Sequence, residues 1–159
     1  MSDLSHYRDD GAAHMVDVTA KDVTKRRATA RGVLRTRADV VDRIASGDLP
    51  KGEAIATARI AGIMGAKRTP DLVPLCHPLP LSGVDLDLTP IGDHVEITAT
   101  VKTTGRTGVE MEALTAVTVA GLTLYDMIKA VDKAAVLTDI EVVAKSGGKS
   151  GDWTREEQA

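Results

Sequence analysis

The chain has 159 residues, a net charge of −3, no Phe, one Trp and two Tyr. That length suits one domain burying about 70% of the surface its unfolded form would expose, and the scarcity of aromatics removes the stacking platforms used for single-stranded nucleic acid. The lone Cys76 excludes an intramolecular disulfide, no basic start leads into an apolar leader, and no apolar run approaches the roughly 20 residues that cross a bilayer, so the expectation is a reduced, cytoplasmic protein without membrane contact.

Taken in order, the polar residues 1–13 and the charged residues 154–159 are expected as flexible tails around a single domain at 14–153. His14 to Thr19 and Ala28 to Arg35 read as strands. Between and just beyond them Lys21, Lys25, Arg26, Arg27, Arg31, Arg35 and Arg37 stand against a lone Asp22. Such a segment faces an anion or forms the solvent side of a strand; nucleic acid is the outsider, because the stacking aromatics are missing, and no nucleic-acid partner is expected. Thr36-Arg-Ala-Asp39 has the form of a capping box, with Asp in the reciprocal position, before Val40, Val41 and Ile44, and Gly47 supplies the stop. After Pro50, Lys51 to Arg68 predicts a second helix rich in Ala and Gly, closed by Thr69-Pro70. Lys51 at its start opposes the helix dipole, a small cost that a nearby anion would relieve.

In Pro74-Leu-Cys-His-Pro78 each proline fixes its own φ and restricts its predecessor, so Cys76 and His77 point in nearly fixed, opposite directions. That suits substrate contact, or a buried thiol beside a hydrogen-bonded structural histidine; it does not suit joint metal ligation, and no metal site is expected. Val84–Thr89 and Val95–Lys102 alternate at period two around Pro90–Asp93 and form a hairpin. Thr103–Gly108 reads as a connection without a role of its own.

From about Val109 a long helix places Leu114, Val117, Gly121, Leu124, Ile128 and Val131 in one stripe for the core. Glu112, Thr115, Asp126, Lys129 and Lys133 make a second stripe, Glu112 and Asp126 within about 40° of each other. Asp126 and Lys129, at i and i+3, are close enough to change each other's proton affinity, although such a pair is ordinarily a solvated ion pair. Thr138–Ala144 offers a last strand, and Lys145-Ser-Gly-Gly-Lys-Ser-Gly151 lacks the first glycine and following helix of a Walker loop, leaving a phosphate-binding loop or a plain surface turn. The order of elements predicts an α+β, ferredoxin-like sandwich: a mostly antiparallel sheet with helices on one face.

Met15–Thr19, Lys51–Gly62, Lys67–Thr69, Leu75–Leu79, Thr107–Thr115, Tyr125–Met127 and Ala144–Asp152 together closely resemble the MoaC family, the cyclic pyranopterin monophosphate synthases of molybdenum cofactor biosynthesis. The resemblance runs in one register from about His14 to Trp153, with no disabling substitution at a motif position. It implies a cyclising lyase that converts (8S)-3′,8-cyclo-7,8-dihydroguanosine 5′-triphosphate into cyclic pyranopterin monophosphate and releases diphosphate. Asp126 matches the family's catalytic acid/base, and Lys51 and Lys129 match its essential lysines. Leu75, Cys76, His77, Met111 and Glu112 match substrate-contact segments, Glu112 facing the guanine-derived ring.

A triphosphate needs converging cations, for which Lys21, Arg26, Lys67, Lys145 and Lys149 offer charge from separate segments. Crowding of these cations would lower a lysine pKa and let Lys51 or Lys129 act as a base. The resemblance further implies a homohexamer, a trimer of dimers with sites between subunits, and no redox cofactor or resident metal, with Mg²⁺ left open as a companion of the triphosphate. Two rival readings remain at this stage: a ferredoxin-like module binding RNA or a nucleotide through its Arg-rich strand, and a structural oligomer.

Overall fold

The computed structural model describes residues 8–156; the outermost parts of the two expected tails, residues 1–7 and 157–159, lie outside the described residues. In chain order the elements are β1 (Thr24–Arg35), α1 (Ala38–Ser46), α2 (Ala54–Lys67), α3 (Thr69–Leu72), β2 (Leu81–Ile91), β3 (His94–Gly105), α4 (Glu110–Ile128), β4 (Val136–Ser146) and β5 (Trp153–Thr154). The sheet runs β2-β3-β1-β4-β5, with every pair antiparallel. This is the α+β ferredoxin-like sandwich expected from the sequence, extended at one edge by β5.

Alternation along the strands builds the layers. Ala28, Ala30 and Leu34 of β1 and Val95, Ile97, Ala99 and Val101 of β3 are buried beneath the helices. The opposite side of β1 carries exposed arginines. Two are neutralised by the neighbouring strand: Arg31 Nη2 is 2.7 Å from Glu141 Oε1, and Arg35 Nη2 is 3.5 Å from Asp139 Oδ2. With no Phe to fill space, the layers meet through small residues. A Cβ on Gly32 would come within 2.7 Å of Val117 Cγ1, and one on Gly62 within 2.9 Å of the Ala116 carbonyl, so the α2–α4 and α4–β1 approaches are set by missing side chains.

Several elements differ from expectation for identifiable reasons. His14–Thr19 forms no strand; Asp17 Oδ1 instead accepts hydrogen bonds from the Thr19 backbone (2.8 Å) and hydroxyl (2.6 Å), a local turn that competes with a ladder. The capping box does not form: Arg37 is the N-cap of α1, its guanidinium 2.9 Å from Asp39 Oδ1, while Thr36 Oγ1 donates to Asp132 Oδ2 at 2.6 Å. Gly47 does stop α1, at φ 73°. Thr69-Pro70 opens α3 rather than simply ending α2, because Pro is tolerated in a helix's first turn.

At the end of the domain, Trp153–Thr154 pairs with Ala144–Lys145. Finally, α4, at 19 residues, is long and apolar enough to cross a bilayer, contrary to the sequence expectation; here it is the core helix, with Ala113, Ala116, Val117, Ala120, Leu124 and Ile128 buried.

Candidate active site at the two ends of one buried helix

The stripe pattern of α4 holds at Val117, Gly121, Leu124 and Ile128, which are buried, while Leu114 and Val131 are half-buried. The polar stripe divides. Glu112 is 1% exposed, whereas the Asp126 side chain is 51% exposed. Fourteen residues of helix separate them by about 21 Å along the axis. Angular periodicity placed both on one direction; the axial cover differs, because Cys76 in the loop after α3 closes over Glu112 while the Asp126 side chain stays open to solvent.

At the C-terminal end, three segments deliver one cluster. Leu49, 7% exposed, anchors the turn before α2, and Gly52 at φ 89° closes it with a 2.9 Å hydrogen bond to the Leu49 carbonyl. Lys51 therefore stands in that turn and not in α2 itself, and its Nζ lies 2.7 Å from Asp126 Oδ2. Lys129 caps α4, its Nζ 2.9 Å from Asp126 Oδ1. The Tyr125 hydroxyl donates to the Lys133 carbonyl at 2.9 Å and pins the following turn. Hydrogen bonds from Lys51 and then Lys129 hold the Asp126 carboxyl down at about 2. The same contact pushes the Lys129 pKa up, which corrects the expectation that cation crowding makes this lysine a ready base: in the free chain it is a proton donor and a fixed cation.

At the N-terminal end, the Cys76 thiol donates to Glu112 Oε1 at 3.6 Å, and Glu112 Oε2 is buried without a hydrogen-bond partner. Burial raises the Glu112 pKa. Burial, reinforced by the Glu112 charge, pushes Cys76 up to about 11. His77, one residue on, faces away: its Nε2 lies 2.6 Å from the Val16 carbonyl, and since a carbonyl only accepts, Nε2 carries the hydrogen. The two neighbours of this stiff loop thus meet different segments, Cys76 the start of α4 and His77 the chain before β1. Leu75 is half-buried beside them and Met111 is 40% exposed.

Next to this end lies a cavity of about 190 Å³ whose walls include Lys21, Arg26, Arg27, Arg106, Lys145 and Glu110. Antiparallel register explains the convergence, because Thr24 pairs with Gly105 and Arg27 with Ser146. Arg26 donates from Nε to the Gly105 carbonyl and from Nη2 to the Arg106 carbonyl, both at 3.1 Å, and Arg106 Nε donates to the Lys21 carbonyl at 3.0 Å. Lys145 Nζ pairs with Glu110 Oε1 at 2.9 Å. Of the expected phosphate cations, Lys21, Arg26 and Lys145 meet here. Lys67 is exposed in the last turn of α2 and Lys149 in the turn after β4, and neither lines the cavity. Arg106 and Glu110 were missed from sequence; the signal available was the hairpin-to-helix junction, which this strand order sets beside the start of β1.

The basic segment of β1 therefore resolves into two parts, cavity walls at Arg26 and Arg27 and strand-to-strand ion pairs at Arg31 and Arg35. Among the described residues no group of three His, Cys, Asp or Glu side chains is arranged to hold a metal ion.

A ferredoxin-like sandwich with an amine–carboxylate cluster at one end of its core helix, and a buried carboxylate beside a cationic cavity at the other, has the features of an enzyme for an anionic small molecule. The chain belongs to the MoaC family, whose model matches residues 15–148. It is 64% identical over 154 residues to a cyclic pyranopterin monophosphate synthase of Corynebacterium efficiens, covering 97% of this chain and 99% of the relative. It is 66% identical over 152 residues to one from Streptomyces coelicolor, covering 96% and 89%, and 65% identical over 153 residues to cyclic pyranopterin monophosphate synthase 2 of Mycobacterium tuberculosis, covering 96% and 92%.

Proposed function

We propose that this protein is a cyclic pyranopterin monophosphate synthase of molybdenum cofactor biosynthesis, converting (8S)-3′,8-cyclo-7,8-dihydroguanosine 5′-triphosphate into cyclic pyranopterin monophosphate and diphosphate. The observation that carries the reading is Asp126 held between Lys51 and Lys129, at 2.7 and 2.9 Å, together with relatives above 60% identity bearing that name. Opening the purine's five-membered ring and rebuilding it on the ribose-derived carbons moves protons, for which Lys129 is a donor and Asp126 an acceptor once a lysine turns to substrate. Closing the cyclic phosphate needs a sugar hydroxyl at the α-phosphorus and a stabilised diphosphate leaving group, the work of Lys21, Arg26 and Lys145. Glu112, with a free oxygen, suits the N–H edge of the guanine-derived ring. Nothing in this conversion requires a redox cofactor, and Mg²⁺ would travel with the triphosphate.

The separation of about 21 Å along α4 exceeds what one nucleotide spans with both ends engaged, so the reading assigns the site to two chains. The helical layer offers a surface for this: Ile60, Met64 and Leu122 are 59%, 54% and 62% exposed. A homohexamer built as a trimer of such dimers is the assembly proposed, in a reducing cytoplasm suited to the free thiol of Cys76.

The test is to incubate the purified protein with the cyclo-dihydro-GTP intermediate and measure diphosphate and the fluorescent pterin formed on oxidation, beside Lys51→Ala and Asp126→Asn. Release of both products by the parent and neither by the variants supports the reading; no product from a folded parent protein overturns it. A polyanion-binding module, the rival reading, would leave both variants unaffected, and the pairing of Arg31 and Arg35 with Glu141 and Asp139 speaks against it.

A further inference from the structure

Glu110 is an acid in the wrong company. The cavity beside the start of α4 presents Lys21, Arg26, Arg27, Arg106 and Lys145, and among the described residues Glu110 is the only carboxylate on its wall. It lies 2.9 Å from Lys145 Nζ, with both side chains largely withdrawn from solvent at 29% and 34% exposure. Its position depends on the neighbouring glycine. Gly108 has an ordinary negative φ, so backbone conformation does not demand glycine there; a Cβ at this position would instead overlap Glu110 Oε2. The carboxylate folds back across Gly108 into the cavity and takes up Lys145.

We propose that Glu110 is a built-in competitor for the phosphate groups of the substrate: it occupies Lys145 in the free enzyme and is displaced when a polyphosphate chain enters. This inference rests on the reading of the cavity as the diphosphate-bearing end of the site. A single phosphate, with little charge to offer, competes poorly against a tethered carboxylate, whereas a triphosphate engages several cations at once and wins Lys145 as well. After the α-phosphorus is attacked, the freed diphosphate loses its tether to the nucleotide, and Glu110 returns to Lys145 and speeds its departure. Glu110 thus acts as a specificity-determining residue for phosphate number and product release.

The test uses inorganic diphosphate and inorganic phosphate with the full chain, followed by calorimetry, so that its outcome does not depend on turnover. Glu110→Gln keeps the shape and removes the charge; it is expected to tighten diphosphate binding roughly two- to fivefold, the scale of one partly screened charge contact, and to strengthen diphosphate product inhibition with a lower KM. Unchanged or weaker diphosphate binding by a folded Glu110→Gln protein overturns the proposal, since it makes Glu110 a positioner of Lys145 rather than its competitor. Gly108→Ala supplies the second arm. A Cβ there clashes with the Glu110 carboxylate and must shift it; where a crystal structure of Gly108→Ala shows Glu110 parted from Lys145, Glu110→Gln should add almost nothing in that background, and an undiminished effect there also overturns the proposal. The failure of the enzyme reading is a separate outcome: no pterin from the cyclo-dihydro-GTP intermediate, with the diphosphate results still readable.

Discussion

Lys51 Nζ stands 2.7 Å from Asp126 Oδ2 although 75 residues separate them in the chain. With Lys129 on the other carboxylate oxygen, the contact leaves Asp126 charged and both lysines committed, so substrate must break at least one ion pair to engage an amine. Asp126→Asn is therefore expected to lower kcat by about 10²–10⁴-fold, the usual weight of a positioned acid or base, while circular dichroism and the melting temperature change little, because the cluster is exposed. A variant that loses its fold would show the cluster to be structural.

Ionisation of the same carboxyl predicts a pH window. The Asp126 pKa is held at about 2, against about 3.9 for an unfolded aspartate. A lowered folded-state pKa contributes stability above the unfolded value and loses it as pH falls through the folded one. Because the carboxyl is exposed, the difference in melting temperature between the parent protein and Asp126→Asn is expected to be small above about pH 5 and to vanish toward pH 2. Carboxyl-carbon NMR of Asp126 gives a direct reading, and a midpoint near 4 would mean that neither ion pair persists in solution.

Cys76 should be a slow thiol. Its pKa, pushed to about 11 from an ordinary 9.0 by burial and then by Glu112, cuts the thiolate present at pH 8 by about 100-fold, only partly offset by the greater nucleophilicity of a basic thiolate. Alkylation by iodoacetamide under native conditions is expected to be at least tenfold slower than after unfolding, and Glu112→Gln should restore part of the rate. Equal native and unfolded rates would show that the loop from Pro74 to Pro78 does not stay closed over α4.

Close packing is a third property open to measurement. Gly62 faces the Ala116 carbonyl at 2.9 Å and Leu86 Cδ2 at 2.8 Å from where a Cβ would sit, and a backbone oxygen cannot turn aside as a flexible side chain does. Gly62→Ala is expected to cost about 1–3 kcal/mol through overpacking, outweighing the gain in helix propensity from Gly to Ala. Urea unfolding would register this as a lower midpoint at unchanged slope; a higher midpoint would show that α2 and α4 have room to separate.

What the sequence revealed follows what its patterns can encode. Period-two alternation in β2 and β3 and the 3.6-residue stripe of α4 record which side faces the core, and those assignments hold at Ile97, Val101, Val117 and Leu124. They record nothing about cover along an axis, which is why Glu112 looked like a companion of Asp126 and is in fact enclosed beside Cys76. The strand reading of His14–Thr19 was equally silent about local competition: Asp17 turns its own backbone at Thr19 and no strand forms. Lys51 and Lys129 were legible as candidate catalytic amines through the family resemblance, whereas Arg106 and Glu110 became visible only when the register of β1 with β3 and β4 brought the start of α4 and the segment before it beside Lys145.

The proposed division of the site between two chains makes one prediction that a single-chain site cannot meet. Asp126→Asn chains lack the amine–carboxylate cluster's acid but keep Glu112; Glu112→Gln chains keep the cluster but lose the buried carboxylate. If each site draws Asp126 from one chain and Glu112 from another, a mixture refolded or co-expressed in equal amounts contains sites with both groups intact in about a quarter of cases, as random pairing across a two-fold axis requires. Activity should then rise from near zero in either variant alone to about a quarter of the parent's. A site within one chain gives no recovery at any ratio, and a wholly non-catalytic protein gives no activity to recover, so the three outcomes are distinct in one assay of pterin formation.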